Sequence, residues 1–87
     1  MRGPEQARAR IVQLIDEGRS LFDSLDLEAF ERWVQASYEA LEFDPWEQQR
    51  FEEYCRSSSD TSFMRLFVGV WILGQSLRSQ GGGSMVT

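Results

Sequence analysis

Apolar positions recur at three- and four-residue spacing along most of the chain, the period of a helix that buries one stripe. Over residues 5–22, EQARARIVQLIDEGRSLF, the stripe is Ala7, Ile11, Leu14, Ile15, Gly18 and Phe22, and Leu25 continues it. Pro4 suits the first turn. Gly18 interrupts the stripe at a helix cost of about 1 kcal/mol, so its position predicts close approach of a neighbouring helix. A second helix is predicted from Asp26, an N-cap with Leu25 and Phe30 at the staple positions. Its face is Leu27, Phe30, Val34, Ser37 and Leu41, widened by Trp33, Ala36 and Ala40. In FDPWEQQRFEEYC, residues 43–55, Asp44 caps a third helix, Pro45 takes its first position and Glu47 completes a capping-box pattern. Phe51, Tyr54 and Cys55 form its apolar side. RSSSD, residues 56–60, reads as a loop, with Ser59 or Asp60 capping a fourth helix.

That fourth helix, SFMRLFVGVWILGQSL from Ser62 to Leu77, is apolar on nearly every side. Phe63, Leu66, Phe67, Val70, Leu73, Gly74 and Leu77 make a complete core stripe, which leaves Met64, Val68, Trp71 and Ile72 for the other side. A membrane span needs about 20 apolar residues. The uncharged run here lies between Arg65 and Arg78 and includes Gln75 and Ser76, so no span is expected. Two readings remain. The helix is central and wrapped by the other three, or it keeps one face in its own core and lays Met64, Val68, Trp71 and Ile72 on a partner. Helices of a four-helix bundle usually keep one side to solvent, contiguous apolar strips mark interaction sites, and Trp is enriched among binding hot spots. Gly69 and Gly74 interrupt a strong helix and suggest a helix–helix crossing, within the fold or between chains.

Composition narrows the classes. Eighty-seven residues make one domain, with the fold expected over 1–80 and a Gly/Ser tail over 81–87, GGGSMVT, reading as a flexible appended linker. The formal net charge is −5, and all basic residues are Arg. An acidic domain repels phosphate backbones, so no nucleic-acid partner is expected despite Arg2, Arg8 and Arg10 near the N-terminus. Cys55 is the sole cysteine, which fits a reducing, cytoplasmic setting. MRGPEQARAR has no apolar segment of a signal peptide.

No catalytic constellation is visible. Histidine is absent, which removes the usual acid–base group and the commonest metal ligand. Carboxylate pairs such as Asp16 with Glu17, Glu39 with Glu42 and Glu52 with Glu53 lack metal-site spacing and read as solvated helix faces. No catalytic, cofactor-binding or metal-ligating residue is assigned, and no cofactor is expected.

The segments IVQLIDEGRSLF, LEAFERWVQASYEALE and FEEYC together resemble the helical accessory or N-terminal modules of bacterial abortive-infection and TIR-type antiphage defence proteins. The matching positions are Leu14, Ile15, Glu17, Gly18, Leu21, Phe30, Trp33, Leu41 and Phe51, and the likeness covers residues 10–77. FDPW stands where such modules would carry a Gly-containing turn with a Ser/Thr cap. The resemblance implies a non-catalytic module that regulates or assembles an associated effector. The expectation is thus an all-α bundle of four helices with the most apolar helix last. It would act in protein–protein interaction or oligomerisation through Met64, Val68, Trp71 and Ile72. Its partner is a second copy or an adjacent effector domain. A small adaptor or antitoxin-like regulator, or a helical domain cut from an enzyme, are the alternatives.

Overall fold

Three short polar side chains set where the helices begin. Asp26 accepts a hydrogen bond from the Glu28 N–H at 3.3 Å and starts α2 (Leu27–Ala40). Asp44 accepts from the Glu47 N–H at 3.4 Å and starts α3 (Pro45–Phe51), with Pro45 in the first turn. Thr61 accepts from the Met64 N–H at 3.2 Å and starts α4 (Ser62–Gly82). Each satisfies one of the donors that a helix N-terminus leaves unpaired. The cap of α4 is one residue later than predicted, because Asp60 instead accepts from the Thr61 N–H and shapes the preceding turn. The capping box at α3 is half made, since the Glu47 carboxylate pairs forward with Arg50 at 3.2 Å.

The computed structural model describes residues 4–82. Helix α1 (Pro4–Asp23) precedes these three. A 3₁₀ turn, Leu41–Phe43, joins α2 to α3, and a π turn, Glu52–Arg56, extends α3. The fold is an all-α four-helix bundle, with no strand among the described residues. The wider winding of the π turn keeps Cys55 in line with Phe51, both buried, and turns Tyr54 outward. Leu27 is likewise exposed, contrary to its place on the predicted face. Helix α4 continues through Gly82, two residues into the predicted tail. The rest of the predicted tail, 83–87, lies outside the described residues, as do residues 1–3.

The core is built from Ile11 and Leu14 of α1, Phe30, Trp33 and Val34 of α2, Leu41, Phe51, Cys55, and Leu66, Ile72 and Leu73 of α4. Trp33 is wedged between two glycines. A Cβ at Gly18 would lie 2.8 Å from the Trp33 ring and 2.8 Å from a Val70 methyl, and one at Gly69 would lie 2.8 Å from the ring and 3.0 Å from the Cys55 sulfur. The indole Nε1–H donates to the Leu14 carbonyl at 2.7 Å. The close approach predicted at Gly18 therefore exists, but what approaches is an aromatic ring.

Helix α4 packs against all three other helices, and its rotation differs from the predicted stripe by about one residue step. Leu66, Gly69, Ile72, Leu73 and Ser76 face inward, whereas Phe63 and Phe67 face water. Two polar contacts hold that rotation. Ser76 Oγ donates to Asp44 Oδ2 at 3.1 Å. Arg65 donates from Nε to the Cys55 carbonyl at 2.7 Å and from a terminal nitrogen to the Arg56 carbonyl at 3.2 Å. These carbonyls close the third helical segment, where cationic donors are favourable. The Arg65 guanidinium also lies 5.0 Å from the Phe30 ring centre and 3.6 Å from Glu31.

The glycines give opposite predictions. Gly18→Ala and Gly69→Ala each lower stability in urea denaturation by about 1–2 kcal/mol, because overpacking outweighs the helix-propensity gain. Gly74→Ala raises it by about 0.5–1 kcal/mol, because a Cβ there meets no packed neighbour within 4 Å. A stabilising Gly69→Ala contradicts the wedge.

Candidate interaction surface

Turning Gly69 inward turns the aromatic residues of α4 outward. Phe63, Phe67 and Trp71 recur every four residues along one line, 54%, 57% and 49% exposed, with Met64 beside them. Gly74 and Arg78 continue the line by helical spacing. On the α1 side, Phe22 meets the edge of Phe63 with ring centres 5.2 Å apart. Arg19, Phe22, Phe67, Val70 and Trp71 line an open groove of about 410 Å³. On the α3 side, the Arg50 guanidinium sits 5.2 Å from the Trp71 ring centre while remaining paired with Glu47. An exposed cation–π contact of this kind contributes about 0.5–1 kcal/mol.

Of the four residues predicted for this surface, Met64 and Trp71 lie on it. Val68 is half-buried and packs against the core. Ile72 is fully enclosed within the protomer and is not part of the exposed face. Phe63 and Phe67, assigned to the core by periodicity, take their places. A signal for them was present: Arg65, Gly69 and Ser76 lie on one stripe of an otherwise apolar helix. These residues have partners elsewhere in the fold, so their side, not the greasiest one, is inward.

Cys55, Glu52 and Glu47 sit in surroundings that shift their titration. Cys55 is fully buried, and burial pushes its thiol up to about 12, so the thiolate that makes cysteine a nucleophile is suppressed. The Glu52 carboxyl is held below its ordinary range by the Ser57 hydroxyl and then by Arg56, 2.6 Å away. Burial raises Glu47 above its ordinary value, with Arg50 opposing the rise and the Asp44 carboxylate adding to it. Among the described residues, no three His, Cys, Asp or Glu side chains cluster to hold a metal ion. Among the described residues, no helix is long and apolar enough to cross a membrane. Comparison of the chain with family models, with curated proteins and with solved structures gave no match.

Two measurements check these environments. Thiol labelling of Cys55 with a disulfide reagent is at least about a hundredfold slower in the native protein than in urea, since it requires opening of the core. Comparable rates contradict its burial. A folded-state value raised above 4.5 means that Glu47 favours the fold fully below pH 4.5, and that this contribution is lost as pH rises through the folded value. Glu47→Gln removes the dependence, so the variant's stability relative to wild type is greater at pH 7 than at pH 4. A difference that does not change with pH contradicts the assignment.

Proposed function

We propose that the protein is a non-catalytic protein–protein interaction module whose working surface is the outward face of α4. The observation that carries this reading is the row Phe63, Phe67 and Trp71, half-exposed and contiguous with the groove over Phe22 and Val70. Large aromatics are normally buried, and contiguous exposed apolar patches in small soluble domains mark contact sites. Trp71 has the makings of an anchor. It is large and rigid, it is flanked by Arg50, and Trp and Arg dominate binding hot spots. The resemblance to helical modules beside effector domains favours a role in assembling or regulating an effector in a bacterial defence-type system.

Phe67→Glu and Trp71→Glu test the reading. Each substitutes a side chain that faces water, so each variant stays cooperatively folded, with urea stability within about 1 kcal/mol of wild type. Each also loses most of the wild-type binding of an apolar dye such as anilinonaphthalene sulfonate. Unfolding by either substitution, or undiminished dye binding, contradicts the reading.

A further inference from the structure

We infer that the α4 face is self-complementary and that its partner is a second copy of this chain, laid antiparallel about a two-fold axis at the Val70–Trp71 step. This rests on the interaction reading above and names the occupant. Its starting point is Gly74. Gly18 and Gly69 make room for Trp33, but a Cβ at Gly74 meets nothing packed against it within 4 Å. Nothing among the described residues asks for a glycine there, and it weakens the helix by about 1 kcal/mol relative to Ala. It lies on the exposed face, one heptad from Phe67, so both share a line along the helix.

The positions on that line are symmetric in size and charge. Phe67 and Gly74 lie equally far from the Val70–Trp71 step, on opposite sides of it, as do Phe63 and Arg78. An antiparallel copy about that step therefore places Phe67 of each chain over Gly74 of the other, a large side chain against a missing one. It also places each Phe63 ring against an Arg78 guanidinium, a cation–π pairing. Both contacts occur twice, as an isologous interface requires. Antiparallel helices also oppose their dipoles favourably.

The area suits a reversible dimer. Phe63, Met64, Phe67 and Trp71 each leave about half of their surface exposed, about 100 Å² apiece for side chains of this size. Two such faces supply about 800 Å² of apolar surface. At an apolar share near 60%, that implies about 1,300 Å² in all, the lower end of a standard specific interface. Dissociation in the micromolar range is expected.

Sedimentation equilibrium on the full chain tests the pairing. Wild type shifts with concentration from 10.1 kDa towards twice that mass. Gly74→Phe places ring on ring at both sites, and Phe67→Ala leaves a gap at both, so each weakens the dimer by at least about tenfold. Both side chains point away from the protomer core, so circular dichroism stays native. An equimolar mixture of the two variants restores association to within about threefold of wild type, because each site of the mixed dimer then pairs one Phe with one small residue. A Gly74→Phe variant that dimerises as wild type does, or a mixture that fails to recover, overturns the pairing. Wild type that stays monomeric to about 1 mM while its face still binds the dye also overturns the second-copy inference. In that case the interaction reading stands and the occupant is a different protein. Loss of dye binding by the folded wild type would sink the interaction reading itself.

Discussion

The indole of Trp33 occupies the point where α1, α2 and α4 meet, and every other packing decision in the domain follows from it. Two of the positions against its ring carry no side chain, Gly18 and Gly69, while Phe30 and Phe51 lie with ring centres 6.1 Å away. Its N–H must find an acceptor, because a buried unpaired donor costs about 1–3 kcal/mol. The acceptor is the Leu14 carbonyl, 2.7 Å away. That carbonyl already serves the α1 ladder, and Gly18 is the residue four positions on whose side chain would cover it. Glycine there opens the carbonyl's second lone pair to the indole. One substitution thus makes room for the ring and exposes its hydrogen-bond partner. In a chain of 87 residues, which buries only about 60–65% of its unfolded surface, a tryptophan fixed in this way is a large share of the core.

The wedge also explains the outward grease. Once Gly69 must face Trp33, the helical period puts Ile72 and Ser76 on the same side one and two turns later, and Arg65 one turn earlier. Each of these has somewhere to go: Ile72 into the core, Ser76 to Asp44, and Arg65 to the carbonyls that end the third segment. The opposite side of α4 then belongs to Phe63, Phe67, Trp71, Gly74 and Arg78 whatever their hydropathy. The exposed aromatic row is a consequence of how the core is keyed, and it leaves the domain with an apolar face that its own three remaining helices do not cover.

What was legible in the sequence divides along the same line. The four helices, their order and the caps at Asp26 and Asp44 were readable because they depend on local spacing and on side chains that bond to their own backbone. The rotation of α4 was not. Periodicity conveys the phase of a helix only through contrast between apolar and polar sides, and residues 62–77 offer little. Side-chain size alone therefore points the largest stripe inward, with Phe67 in the core and Ile72 on the surface, the reverse of their places. The three residues that set the phase, Arg65, Gly69 and Ser76, act through partners 9 to 36 positions away, and such pairings are invisible to a local pattern. The exposure of Tyr54 has a related origin, since a π turn shifts the phase within a single helical segment.

Exchange of the three indole N–H protons, followed by NMR in deuterated buffer, tests the keystone role of Trp33 most directly. Trp46 and Trp71 are 73% and 49% exposed, whereas Trp33 is 3% exposed with its N–H bonded to Leu14. The Trp46 and Trp71 protons are expected to be lost at once. The Trp33 proton should persist with a protection that matches the free energy of global unfolding, because no smaller opening frees the ring from between its two glycines. A Trp33 proton that exchanges as fast as the other two, or through a local opening well below the global free energy, would contradict it.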